Sequence, residues 1–116
     1  MDLGDIGAGL EKYRAAAIIY EDLLLSDPAD TITSRDLASL LHFQGDVLMK
    51  TGVKTSPAAR AQTLREARSS YQRSLELWRD IQNRGVLHKA DQNRVDELSR
   101  RISECDAAIT KLGLKP

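Results

Sequence analysis

The chain has 116 residues, enough for one small domain that buries roughly two-thirds of its unfolded surface. Lys and Arg together number 17 and so do Asp and Glu, so no cationic surplus is available to neutralise a phosphate backbone, which argues against a nucleic-acid partner. Aromatics are only 4%, so the core must be mostly aliphatic, and no run approaches the roughly 18 apolar residues of a membrane span.

The single cysteine, Cys105, cannot form an internal disulfide. That usage points to a reducing, cytoplasmic setting. The opening Met1-Asp2-Leu3-Gly4-Asp5 has neither the basic nor the apolar region of a secretion signal.

In chain order, the first clear helix is predicted over about residues 10–26. Leu10, Tyr13, Ala16, Ala17, Tyr20, Leu23 and Leu24 recur every three or four positions and make one apolar stripe. Ser26-Asp27-Pro28 ends it, because the residue before Pro disfavours helical backbone. The segment from Leu3 to Ala8 reads as a short separate helix, with Gly7 and Gly9 turning the chain before Leu10.

A second helix is predicted from Thr31 to Lys50, with Leu37, Leu40, Leu41, Gln44, Val47 and Leu48 on its buried face. Gly52 supplies the stop. Ser56-Pro57 starts a third, Ser as N-cap and Pro in the first turn. Its stripe is Leu64, Ala67, Tyr71, Ser74, Leu75, Trp78 and Ile81, and Gly85 closes it after Asn83. Residues 86–90 form a loop. Asp91 is then the expected cap of a last helix reaching Leu112. On that helix Val95, Leu98, Ile102, Cys105, Ile109 and Leu112 form a heptad seam. Arg94, Glu97, Arg100, Arg101 and Glu104 fill the other face, with Glu97 and Arg101 spaced to pair.

The pattern repeats internally. Leu3-Gly4-Asp5-Ile6 reads like Gln44-Gly45-Asp46-Val47, and Ala16 with Tyr20 reads like Ala67 with Tyr71. These positions resemble the tetratricopeptide repeat, in which a Leu-Gly pair lies on the first helix of a unit. A small residue, an aromatic four later and another small residue lie on the second, and a Pro closes the unit. Leu3, Gly4, Tyr13, Ala16, Tyr20 and Pro28 match one copy, and Gly45, Ala67, Tyr71 and Ser74 a second. The second copy carries about ten extra residues between its helices. The stretch from Ala67 onward resembles the C-terminal repeat region of bacterial tetratricopeptide proteins, including serine/threonine protein kinases with a repeat tail.

The resemblance implies an all-α fold of antiparallel helical hairpins, as a single domain over residues 1–116. A partial first repeat spans 3–30, a second with an enlarged connection 31–84, and a capping helix 91–112. It implies a protein-interaction module that binds a protein or peptide partner without catalysis. Two alternatives stay open: the regulatory C-terminal part of a bacterial kinase or other signalling protein, and a self-associating unit forming a homodimer through an uncovered face near Leu10, Tyr13 or Ala17. The family's groove register falls on Ser39, His42, Phe43, Asp46, Met49 and Lys50. The Lys, Asn and Arg with which one subfamily clamps acidic peptide tails are replaced there by His42, Asp46, Ser39 and Phe43.

The residues themselves call for no catalytic group, cofactor or metal. Gly4, Gly7 and Gly9 have the wrong spacing for a nucleotide loop, with no Walker Lys-Ser/Thr and no His-Arg-Asp motif after them. His42 and His88 stand far apart without the partner ligands zinc requires. Cys105 lies on an apolar seam, where a thiol acts as a small core residue.

Overall fold

The computed structural model describes residues 3–116, with side chains from Gly7 onward. The described residues form four α-helices and no strand: α1 (Leu3–Ser26), α2 (Thr31–Lys50), α3 (Pro57–Asn83) and α4 (Arg94–Lys111). A short 3-10 turn, Lys89–Asp91, precedes α4. None of the helices is long and apolar enough to cross a membrane.

Each boundary has a local cause. Asp30 caps α2: its carboxylate accepts from the Thr33 backbone N–H at 3.1 Å and from the Thr33 hydroxyl at 2.7 Å. The bonds from Thr33 hold the Asp30 carboxyl below its ordinary pKa. Ser56 caps α3 through the Ala59 N–H, with Pro57 in the first turn. Gly85 ends α3 with a positive φ of 74°, and Val86 N–H reaches back to the Ile81 carbonyl, closing a Schellman turn. The last carbonyls of α2 are covered from a distance: Arg60, on α3, donates to the carbonyls of Met49 and Thr51 at 2.6 and 2.5 Å.

Two boundaries differ from expectation. The turn at Gly7 and Gly9 is absent, because both lie inside the single helix α1 and neither takes a positive φ. Residues 3–26 are therefore one helix rather than two, and the packing of Leu3 and Gly4 lies outside the described residues. Asp91 does not cap α4, whose N-cap is Asn93 with no side-chain bond. Instead Asp91 is buried, accepting from Arg35 of α2 at 3.1 Å with Arg94 at 3.6 Å. A long-range charge partner outcompeted the local backbone for this carboxylate.

Side-chain contacts define the topology. Ala38 meets Ser74, Gln44 meets Ser70 and Asp46 meets Tyr71, so α2 and α3 run antiparallel. Arg68 meets Asp106 and Trp78 meets Arg94, so α4 runs antiparallel to α3. Arg14 meets Glu66 and Glu21 meets Arg73, so α1 lies parallel to α3. His42 meets Glu97 and Asp46 meets Arg101, so α2 lies parallel to α4. Alternate helices thus form two layers, α1 with α3 and α2 with α4. The α1–α3 ion pairs have roughly two-fifths of each side chain in water. Such pairs contribute only about 0.2–1 kcal/mol each, so they set register more than stability.

One apolar cluster runs through all four helices, from Leu10 and Leu24 through Leu37, Leu48, Tyr71 and Trp78 to Leu98 and Cys105. A smaller one joins Ala61, Leu64 and Ile109, with Met49 packed against both. The expected stripes of α3 and α4 face this core. That of α1 does so except at Leu23, which is half exposed, and Ile18, Ile19 and Leu25, outside the expected stripe, stand in water.

The closest approach is at Gly45. A Cβ there would lie 2.5–2.8 Å from three ring atoms of Tyr71, which is fully buried. Alanine at this site gains about 1 kcal/mol of helix propensity, but overpacking against a fixed ring costs about 1–3 kcal/mol. Gly45→Ala is therefore expected to lower the free energy of unfolding in urea. Gly9→Ala, with nothing within 4 Å of the new Cβ, should raise it by about 0.5–1 kcal/mol. A stabilised Gly45→Ala variant would remove the close approach as a feature of the fold.

Candidate functional site

The α2–α4 layer carries a cleft of about 210 Å³. From α2 come Ser39, His42, Phe43 and Asp46, at helical spacings of three and four that put them on one face. Arg94 and Glu97, three apart on α4, form the opposite wall, and Trp78 of α3 closes the floor. The volume is below the roughly 300–1,000 Å³ of a typical small-molecule pocket. It suits one or two side chains of a larger partner.

Four of the six residues that the register selected therefore meet at one cleft. The other two do not line it. Met49 turns inward, its sulfur 3.4 Å from the Cys105 sulfur, because α4 closes over the C-terminal end of α2. Lys50 is exposed at the last position of the helix. Trp78, Arg94 and Glu97 belong to the site without having been selected. Periodicity put Trp78 in the core and the two charged residues on the outward face of α4. Only the docking of α4 beside α2 converts that face into a wall.

The ionisable groups of the cleft are loosely engaged. His42 is largely buried, with Nε2 3.5 Å from Glu97 Oε1 and 3.8 Å from Asp46 Oδ2. Asp46 also accepts the Tyr71 hydroxyl at 2.5 Å and lies 3.7 Å from Arg101. Arg101 bonds Glu104 rather than Glu97, its expected partner, while Glu97 is 3.8 Å from Arg94. Burial, reinforced by the bond to Asp46, pushes the Tyr71 hydroxyl well above its ordinary pKa. That hydroxyl is thus a fixed donor holding the Asp46 carboxylate in place.

The aromatic groups are graded from wet to dry. Phe43 is 52% exposed and rests edge-on against Tyr13 of α1, with ring centroids 5.4 Å apart. His42 sits edge-on to Tyr71 at 5.9 Å. Trp78 is 1% exposed with the Arg94 guanidinium 5.9 Å above its ring, a cation–π geometry. Its indole N–H finds no acceptor among the described residues. Such a buried, unmade bond costs about 1–3 kcal/mol. Among the described residues, no group of three His, Cys, Asp or Glu is arranged to hold a metal ion. A larger cleft of about 460 Å³ lies on the other layer, between Leu24, Leu25 and Leu77, with Arg73 bonded to Glu21 and Glu76 at its rim.

Cys105 is fully buried, and burial raises its thiol to about 11. The unfolded thiol ionises near pH 8.5. Between those values the unfolded state binds fewer protons, so stability falls as pH rises through the window. Cys105→Ala should abolish that slope. The unfolding free energy of the natural chain, relative to this variant, is expected to drop by about 1 kcal/mol between about pH 7.5 and about pH 9.5. An unchanged difference would mean that the folded thiol ionises like a free one.

Comparison with protein-family models, with curated proteins and with solved structures gives no match.

Proposed function

We propose that this chain is a protein-interaction module of tetratricopeptide-like type, acting without catalysis, and that a segment of a protein partner docks in the α2–α4 cleft. The observation that carries the proposal is Phe43. It is a large apolar side chain, half in water, held by Tyr13 at the mouth of a cleft whose floor is a buried Trp. Aromatic anchors beside a desolvated pocket are the usual hot spots of recognition. Around it the charged groups sit at 3.5–3.8 Å from one another, too far for good hydrogen bonds, and so remain able to take a ligand's polar groups.

The tetratricopeptide-like reading is supported by the two-layered alternation of helices and by the packing of small residues at the α2–α3 crossing. Gly45 admits the Tyr71 ring, and Ser74 donates to the Ala38 carbonyl at 2.7 Å. In such an arrangement the layer of first helices lines the binding surface, and α2 with α4 occupies that layer. The continuous α1 departs from the two-helix unit of the family.

Selection from a random peptide display library on the 116-residue chain, followed by calorimetry with the enriched peptides, tests the reading. Phe43→Ala is expected to weaken those peptides by about 1–3 kcal/mol. Exchanging the wall charge with Glu97→Arg should change which peptides are enriched. Failure to enrich any peptide, or equal binding by the Phe43→Ala variant, would refute docking in this cleft.

A further inference from the structure

The outer face of α1, turned away from the core, carries an ordered pattern that neither the fold nor the cleft uses. Ala8, Lys12, Ala15, Ile19, Asp22 and Ser26 are all exposed. Their spacings of four and three make a heptad seam along the helix. Ile18 and Leu23, 64% and 50% exposed, flank it on either side. Ile18, Ile19 and Leu23 together leave three large aliphatic side chains in water on this face, the character of a contact surface.

The seam is palindromic. About a centre at position 17, Lys12 reflects onto Asp22, Ala15 onto Ile19 and Ala8 onto Ser26. Two copies of α1 laid antiparallel on a twofold axis at that centre would bring each Lys12 against the other copy's Asp22. Each small Ala15 would take the other copy's Ile19. Lys12 and Asp22 form no ion pair among the described residues, whereas Arg14 and Glu21, on the side facing α3, are both engaged. The two unpaired charges are about 15 Å apart on one helix and cannot satisfy each other. Charge placement also favours the pairing at the helix ends. The last turn of α1 contains no basic residue, and Asp22 lies near its negative dipole end. A second copy would bring Lys12 there.

We propose that α1 is a self-association surface on which a second copy of the chain docks its own α1 antiparallel, with reciprocal Lys12–Asp22 pairs bracketing an Ala15–Ile19 centre. The interface is isologous and closed, so assembly stops at the dimer. A charged residue at a seam position fixes the register, since a shift by one turn separates each Lys12 from the other copy's Asp22. The uncovered apolar face predicted at Leu10, Tyr13 and Ala17 is thereby relocated. Leu10 is buried, Tyr13 and Ala17 are half-buried, and the exposed surface lies around the helix at Ile18 and Ile19. The α2–α4 cleft is in the other layer and stays open in the dimer.

Sedimentation velocity from low to high micromolar concentration tests this, with circular dichroism confirming that each variant is folded. The natural chain should pass from monomer to dimer. Lys12→Asp or Asp22→Lys alone creates two like-charge contacts across the axis and should weaken the dimer by about tenfold or more. The doubly exchanged variant restores opposite charges and should dimerise again. An equimolar mixture of the two single variants should form a heterodimer while neither self-associates. A monomer at all concentrations would overturn the proposal and leave the face to a different partner. A dimer indifferent to both charge reversals would overturn it too.

Discussion

The Tyr71 side chain is where the packing of three helices is decided. Its ring lies against the bare backbone of Gly45 on α2, and its hydroxyl donates to Asp46 on the same helix. Asp46 in turn lies within ion-pair distance of His42 and of Arg101 from α4. A glycine one residue before a carboxylate lets a large ring enter between two helices and still find an acceptor for its polar end. The penalty for burying a phenol is thereby offset. Other contacts at this crossing, Gln44 to Ser70 and Ser74 to the Ala38 carbonyl, depend on the same close approach. The two serine hydroxyls reach their partners on α2 only because the backbones are near.

Binding chemistry follows from that distance. With α3 close under α2, Trp78 is brought beneath the α2–α4 boundary. Asp91, drawn to Arg35, ties the chain leading into α4 back to α2. The start of α4 is thereby set beside His42, and Arg94 and Glu97 become a wall of the cleft. The same polar groups that orient the helices also line the surface we read as a docking site. Their geometry is shared between folding and recognition, and the Trp78 N–H, without an acceptor among the described residues, lies at the same boundary.

The layer opposite has a different character. The exposed face of α1 holds aliphatic side chains and charges without an ion pair among the described residues, where the cleft holds aromatics and loosely engaged ionisable groups. Inward, α1 contributes Leu10 and Leu24 to the core and bonds α3 through Arg14 and Glu21. A helix apolar on two faces is ordinarily covered on both. For this chain we assign the second face to its own copy, which leaves the cleft free for a different partner.

Much of the architecture is legible in the residues alone. Period, caps and breakers marked the bounds of α2 and α3, where Ser56-Pro57, Gly52 and Gly85 act locally, through a side-chain cap, a fixed ring and positive-φ backbone. The seam of α4 and the stripe of α3 were visible for the same reason: a helix with one wet face must repeat its apolar residues every three or four positions. Gly7 and Gly9 misled, because glycine permits a turn without requiring one, and the helix on either side carries through them. What tertiary structure alone decided was rotation and partnership. Periodicity could not say that Met49 would turn toward Cys105 while Phe43 stayed in water, or that Asp91 would choose Arg35 over its own helix. Nor could it say that Arg94 and Glu97 would face His42. Those outcomes depend on groups dozens of residues apart in sequence, and such distances enter only when the helices have packed.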